Sequence, residues 1–326
     1  MNAPRHRHVY GPVPSRRLGR SLGIDLVPYK TCTYDCVYCQ LGRTPATTIN
    51  RRDYVPVDDV VDELRMALDH GDTPDYISLA GSGEPTLHAG IGTLIRAVKA
   101  VTEIPIAVLT NGALLWRADV RDALMEADLV LPSLDAGDEH LFQRVNRPHG
   151  GIPFDRMVDG LAEFTGRFTG EVWLEVFLLG GVTGTPAEVR KIAAIARRVA
   201  PCRIQLNTVT RPPAEAFAQP VRVSELLDLA TLFDGDVDVV CDIAQGRIPA
   251  GILSPDTEDD ILALLGRRPC TAADVAGGLD LPLPEVLKYL DRLVNAGSIE
   301  PRQMGERCYY TVKDRAPAEA GPESRH

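Results

Sequence analysis

Between about residue 21 and residue 241, short apolar runs alternate with amphipathic stretches. SLGIDLV, DYISLAG, IAVLT, LVLPSLD, EVWLEVFLL, RIQLNTV and VDVVC are apolar or alternating and are bounded by Gly, Pro, Asn or Asp, the pattern of strands. Helix-like segments lie between them. VDDVVDELRMALDH follows Pro56, LHAGIGTLIRAVKAV follows Pro85, and PAEVRKIAAIARRVA has Thr185 as N-cap and Pro186 at its first position. ADVRDALMEA, FDRMVDGLAEF and VSELLDLATLF fill the other gaps. Strands alternating with helices predict parallel βαβ units under a cover of helices. About six repeats and a seventh strand exceed a small doubly wound domain and fall short of an eight-fold barrel. The expectation is an α/β protein with a partial (β/α)6-type parallel barrel over residues 1–250, its reactive end where strands pass into βα loops.

After Gly251 the pattern changes to helix, short helix, longer helix and an alternating hairpin around Met304-Gly305. Thr271 caps the second helix, Pro284 opens the third, and Gly297 stops it. Leu287, Leu290, Leu293 and Val294 make one apolar stripe. Residues 254–314 therefore resemble a winged helix-turn-helix, and residues 315–326, rich in Ala, Pro, Glu and Gly, read as a disordered tail.

Composition adds bounds. The 326 residues are 44% hydrophobic and 25% charged, ordinary for a soluble protein with a real core. No stretch approaches the roughly 18–20 apolar residues of a membrane span, and MNAPRHRHVYGPVPSRR has no apolar signal region. Seven cysteines, three of them clustered, suit a reducing compartment better than a disulfide framework. The expected location is the cytoplasm, with no membrane partner. Net charge is −10, yet residues 1–52 hold nine Lys/Arg against Asp25 and Asp35, a balance of +7. Such a segment either receives an anionic substrate or forms a solvated basic arm.

KTCTYDCVYCQ, residues 30–40, holds Cys32, Cys36 and Cys39 in C-x3-C-x2-C spacing, and the next cysteine is Cys202. A closed zinc site or saturated iron–sulfur cluster needs four protein ligands. Three thiolates on one loop can hold three irons of a cubane and leave the fourth open. They can also hold zinc with a distant fourth ligand such as His70 or His88. At the second strand's end, LAGSGEPTLH puts Gly81 and Gly83 where backbone can approach a ligand, with Glu84 beside them. Asn111 ends the third strand, Ser133 and Asp135 the fourth, and Asn207 the sixth. Singly, Asn111-Gly112 is an ordinary turn and Asp135 a helix cap. Together, small polar groups at successive strand ends predict a polar ligand.

With Tyr38 before its third cysteine, the loop resembles the signature of the radical S-adenosylmethionine (SAM) superfamily. LAGSGEPT resembles that family's Gly-Gly-Glu segment, with Ser82 in place of the first Gly. The resemblance implies a radical SAM core over residues 1–250 and a [4Fe-4S] cluster on Cys32, Cys36 and Cys39. It implies that SAM binds the open iron, with Tyr38, Ser82, Gly83, Glu84, Asn111, Ser133 and Asp135 around it. Reductive cleavage of SAM then yields methionine and a 5′-deoxyadenosyl radical that abstracts a substrate hydrogen. An external donor such as flavodoxin or ferredoxin is implied. YGPVPSRRLGRSLGIDLVP and FQRVNRPHGG further resemble a bacterial group related to the tRNA wyosine-base (4-demethylwyosine) synthase, over roughly residues 9–250. That chemistry implies a second cluster from upstream cysteines and a lysine Schiff base with pyruvate. Residues 1–31 contain no cysteine, and Lys30 is the only lysine before the motif. The substrate is left as tRNA, a peptide or a small anionic molecule, and its catalytic residues are unassigned.

Cys202, Cys241, Cys270 and Cys308 read as core thiols. Arg16 and Arg17 either face a substrate anion or form ion pairs, and Asn146, Arg147 and His149 occupy a loop over the mouth. The rival function is an iron–sulfur or zinc-sensing regulator that binds DNA through the winged helix. From Ser254 to Val312 six basic residues meet ten acidic ones, and PEVLKYLDRLVNA is mixed in sign. Phosphate contacts need the opposite balance, which favours a module that packs on the barrel, binds a substrate protein or mediates assembly.

Overall fold

Period-two and period-3.6 patterns alternate along the chain, and the computed structural model resolves them into elements over residues 8–70, 73–240, 257–279 and 281–313. The strands of the main sheet are β1 (Val9–Ser15), β2 (Gly19–Ile24), β3 (Tyr76–Leu79), β4 (Ile106–Thr110), β5 (Leu129–Pro132), β6 (Glu171–Leu178), β7 (Arg203–Thr208) and β8 (Val237–Val239). They lie side by side in chain order, β1 antiparallel to β2 and all later neighbours parallel. The sheet is open: β1 and β8 are its two edges.

The helices are α1 (Val57–His70), α2 (Ile91–Lys99), α3 (Ala118–Leu124), α4 (Glu139–Val145), α5 (Phe154–Arg167), α6 (Pro186–Val199) and α7 (Val223–Ala230). Their apolar sides meet one face of the sheet in the main core, where Ile77, Val108, Leu174 and Leu206 pack with Leu64, Ile95, Leu161 and Ile192. Thr185 caps α6 through Glu188 N, with proline at the helix start as expected. α4 has no counterpart among the expected helices; Asp138, not Asp135, caps it, accepting from Leu141 N at 2.9 Å. β1 is also new. Its run holds Gly11, Pro12 and Pro14, which deny it the look of a strand, yet an edge strand tolerates proline.

A second unit follows: α8 (Thr257–Arg267), α9 (Ala272–Leu279), α10 (Leu283–Asn295) and the antiparallel pair β9 (Ile299–Met304) and β10 (Arg307–Val312). Thr271 and Asp274 cap α9 reciprocally. The α10 stripe is Val286, Leu290 and Leu293; Leu287 is exposed, contrary to expectation, because the helix turns the i, i+4, i+7 set toward this unit's core. The unit packs across the open sheet. Tyr309 Oη donates to Thr210 O at 2.7 Å, Arg211 Nε to Pro269 O at 3.0 Å, and Val13 of β1 joins the unit's apolar cluster.

Cys270 is buried as expected and Cys308 half-buried, but Cys202 is exposed, because it precedes β7 rather than lying within it. Cys241, the boundary between residues 250 and 254, and the expected tail over residues 315–326 lie outside the described residues. Among the described residues, no helix is long and apolar enough to cross a membrane.

Candidate functional site

The loop after β2 carries all three clustered cysteines, and three neighbouring segments hold its backbone. From the end of β3, Ser82 O accepts from Lys30 N at 2.7 Å and Glu84 N donates to Thr31 O at 2.9 Å. Gly83 lies so close that a Cβ there would be 2.0 Å from Thr31 O, and a Cβ on Gly81 would be 2.3 Å from Asp25 Cγ. Both glycines thus make room for the cysteine loop and its root, where sequence reasoning expected room for a ligand. From the end of α4, Asp35 N donates to Asn146 O and Val37 N to Val145 O, and His149 N donates to Thr33 O. From the segment after β7, Glu215 N donates to Val37 O, and its carboxylate takes Arg43 at 2.8 Å and Arg147 at 2.7 Å.

Each thiol meets one nitrogen donor from a different part of the chain. Lys30 Nζ lies 3.2 Å from Cys39 Sγ, Asn111 Nδ2 3.6 Å from Cys32 Sγ, and Asn146 Nδ2 3.6 Å from Cys36 Sγ. Burial, with the Glu84 carboxylate adding to it, pushes the Cys32 thiol up to about 12. Burial and then the Asp135 carboxylate push Cys36 well above the ordinary thiol range. Such thiols ionise near neutrality only when positive charge is brought to them, and a coordinated metal does this outright.

Among the described residues, Asp25 Oδ1 and Thr44 Oγ1 near the loop are buried without a partner, and so are two atoms of side chains that interact with Cys36, Tyr34 Oη and Asn146 Oδ1. Tyr34 stands edge-on to Phe142, and after burial the Cys36 charge is the next cause of its raised phenol pKa. An unsatisfied buried group costs about 1–3 kcal/mol, so the site is built for a further group that brings both a donor and an acceptor. Three thiols with Tyr34 Oη and Asn146 Oδ1 fit an iron–sulfur cluster with its small-molecule ligand.

They fit a zinc knuckle less well. A zinc knuckle needs a fourth protein ligand on the same ion, whereas a cubane can take three thiolates at separate irons and leave the fourth open. His88 is engaged elsewhere, with Nε2 2.9 Å from Val55 O and Nδ1 accepting from Gly90 N. The His70 side chain lies outside the described residues.

The strand-end residues gather around the loop in two roles. Glu84 is buried and accepts from Thr86 N, Thr86 Oγ1, Thr110 Oγ1 and Asn111 N. Asp135 is buried too; it accepts from Tyr38 Oη, from Asn146 Nδ2 at 2.7 Å and from Phe177 N at 3.0 Å, and burial lifts its carboxyl to about 6. These carboxylates are occupied by the chain, so they position Asn111, Tyr38 and Asn146. Ser82 is likewise turned inward, giving N and Oγ to Asp25. Tyr38 stacks on Phe177 at 4.1 Å, while Asn111 and Ser133 are half-buried at the ends of β4 and β5. Asn207 lies lower, donating to Glu175 at 2.9 Å; Arg17 pairs with the same carboxylate at 2.7 Å.

In the sequence Lys30 stood out only as a candidate Schiff-base amine and Asn146 only as a loop residue, and nothing singled out Tyr34, although it lies inside the cysteine motif. No periodicity marks them; only the folded loop shows what they touch.

The sequence profile of the radical SAM superfamily matches residues 26–196. A UPF0026 protein of Methanocaldococcus jannaschii is 35% identical over 80% of this chain and 82% of its own length. A protein of Brachyspira hyodysenteriae named GTPase Obg is 40% identical over 94% of this chain, which spans only 45% of that relative's length. Among solved structures, a radical SAM methyltransferase from Sphaerobacter thermophilus shares the fold, with a TM-score of 0.53 and 18% identity over 67% of this chain and 66% of that one.

Proposed function

Because this chain belongs to the radical SAM superfamily, we propose that Cys32, Cys36 and Cys39 carry its cluster and that Tyr38, Asn111 and Ser133 face SAM. The chain is an enzyme whose cofactors are a [4Fe-4S] cluster and SAM. When bound, these supply an electron and a 5′-deoxyadenosyl radical that takes hydrogen from the substrate. All else falls to the chain's own residues: position, charge and exclusion of water.

The observation that carries the assignment is the pairing of three loop thiols with three separate nitrogen donors. In this reading Tyr38 offers its ring beside the third cysteine, oriented by Phe177 and Asp135. Asn111, held by Glu84 through its backbone, reaches both Cys32 and Thr33 with its amide. Glu84, Asp135, Ser82 and Gly83 act through these neighbours, as positioning residues.

The substrate is proposed to carry an anionic group and to come from the tRNA, peptide or small-molecule classes; the relation to the wyosine-base synthase rests on resemblance alone. Part of the expected basic excess is already spent on internal pairs, Arg17 with Glu175, Arg43 with Glu215 and Arg51 with Asp119. That favours a small ligand over a long polyanion. A flavodoxin- or ferredoxin-type donor in the cytoplasm would supply the electron. The C-terminal unit is read as a winged helix whose hairpin is turned toward the core: Met304 packs on the cluster of Val37, Val145 and Leu179, near Tyr38 and Phe177. The DNA-binding regulator gains no supporting observation, since Arg292 and Arg302 pair with Glu258 and Glu300.

The test is anaerobic reconstitution of the full chain. Expected are about four irons per chain and, under strong reductant, release of 5′-deoxyadenosine and methionine from SAM. Zinc binding with SAM left intact would sink the assignment. Comparison of tRNA nucleosides and metabolites between a deletion strain and its parent then identifies the substrate class.

A further inference from the structure

We infer that Lys30 is a hydrogen-bonding cation seated on Cys39, which raises the reduction potential of the cluster, and that it does not serve as an amine nucleophile. The inference rests on the cluster assignment above and goes beyond it.

Lys30 is 6% exposed, an unusual burial for a lysine. Its Nζ holds two acceptors, Gly42 O at 2.6 Å and Cys39 Sγ at 3.2 Å. Among the described residues no carboxylate lies within ion-pair distance of it, so the thiol is its one partner able to carry negative charge.

The backbone is arranged to put it there. Lys30 has φ +61, a left-handed conformation that costs a non-glycine residue about 1–2 kcal/mol. Lys30 N is tied to Ser82 O, and the next carbonyl, Thr31 O, receives Glu84 N against the bare Cα of Gly83. On the far side Tyr29 Oη donates to Leu41 O and Gly42 N to Cys39 O. The two ends of the loop are thus pinned on either side of Lys30, and its side chain spans them to reach the third cysteine.

The electrostatic consequence has a definite sign. Reduction adds negative charge to a cluster and its thiolates. A donor with positive charge at one thiolate stabilises the reduced form more than the oxidised form, which raises the potential. A lysine that captured a carbonyl compound would need an uncommitted amine with access to the ligand. This amine is enclosed and bound twice.

The experiment uses the reconstituted full chain and reads the cluster rather than turnover. Midpoint potentials are measured by spectroelectrochemistry for wild type, Lys30→Met and Lys30→Arg. Lys30→Met should lower the potential, so that at a fixed poise the ratio of reduced to oxidised cluster falls on the order of tenfold, as expected for loss of one charge-assisted bond. Lys30→Arg, which keeps charge and donor, should recover much of the shift. In parallel, wild type is treated with pyruvate and borohydride and mapped by mass spectrometry; no adduct is expected on Lys30. An unchanged potential in Lys30→Met, or a trapped adduct on Lys30, overturns the inference. A wild-type chain that assembles no iron–sulfur chromophore instead overturns the cluster assignment. Should Lys30→Met assemble too little cluster to read, the wild-type trapping result and the Lys30→Arg potential decide between the two roles.

Discussion

Along β6 the two faces of the sheet part company residue by residue. Val172, Leu174, Val176 and Leu178 enter the helix-covered core, while Trp173, Glu175 and Phe177 go to the other side. The same division runs through β4 and β5. Ile106, Val108 and Val130 meet helices, whereas Ala107, Leu109, Leu129 and Leu131 join Leu18 and Trp173 in a small cluster that contains no helix residue. Above that plug the second face turns polar, with Arg17, Glu175 and Asn207, then the half-buried Asn111 and Ser133 near the cysteines. One face is held by area removed from water and by close packing, so that a change there costs in proportion to the volume lost. The other is held by directed bonds between buried polar groups, where losing one partner strands the other.

Substitutions can sharpen or break that contrast. The largest expected effect lies at the mouth: Cys36→Ala should abolish the iron–sulfur absorbance and SAM cleavage, while the urea midpoint of the cluster-free chain moves little. Arg17→Met should cost about 3–5 kcal/mol, because it leaves Glu175 charged and enclosed. Burial acts to raise the Glu175 carboxyl, and the Arg17 and Asn207 interactions outweigh it and hold it below its ordinary value. A midpoint equal to wild type would mean that the polar face is not built on this pair. On the helix face, Leu174→Ala should cost about 2–5 kcal/mol through a cavity, with the cluster spectrum of the folded protein unchanged.

A smaller effect is expected at Asp135. Its folded-state carboxyl, raised by burial to about 6 from an ordinary 3.8, favours the folded state at low pH, and that contribution is lost as pH rises through about 6. Asp135→Asn cannot ionise, so its urea midpoint relative to wild type should be higher at about pH 7 than at about pH 5. A constant difference would show that Asp135 carries no such shift. The smallest effect belongs to Cys202→Ala, which should leave iron content and stability at wild-type values because Cys202 is exposed and remote from the loop.

Much of the scaffold could be read from periodicity, because burying one face of a strand or one stripe of a helix demands repeats of two or 3.6. All seven expected strands exist, and Thr185, Pro186 and Thr271 stand where helix starts were expected. β1 escaped because prolines mask an edge strand, and Leu287 was misassigned because neighbouring leucines offer two stripes one position apart. At the site, the cysteine spacing and the strand-end polar residues were legible. Their duties were not. Glu84 and Asp135 have the chemistry of ligand contacts, and only the fold shows their lone pairs taken by Thr86, Thr110, Tyr38 and Asn146.

Local order in the chain was enough to establish most of the strands and helices, though not β1 or α4, and that three thiols stand on one short loop. Those properties depend on neighbours a few positions apart. The donors that meet the thiols lie nine, seventy-nine and one hundred and ten positions away. Glu175 finds Arg17 from the opposite part of the sheet, and Met304 comes from a separate unit. Such pairings arise only when the sheet curves and its loops converge, so tertiary structure alone decided which polar groups hold the scaffold and which remain for chemistry.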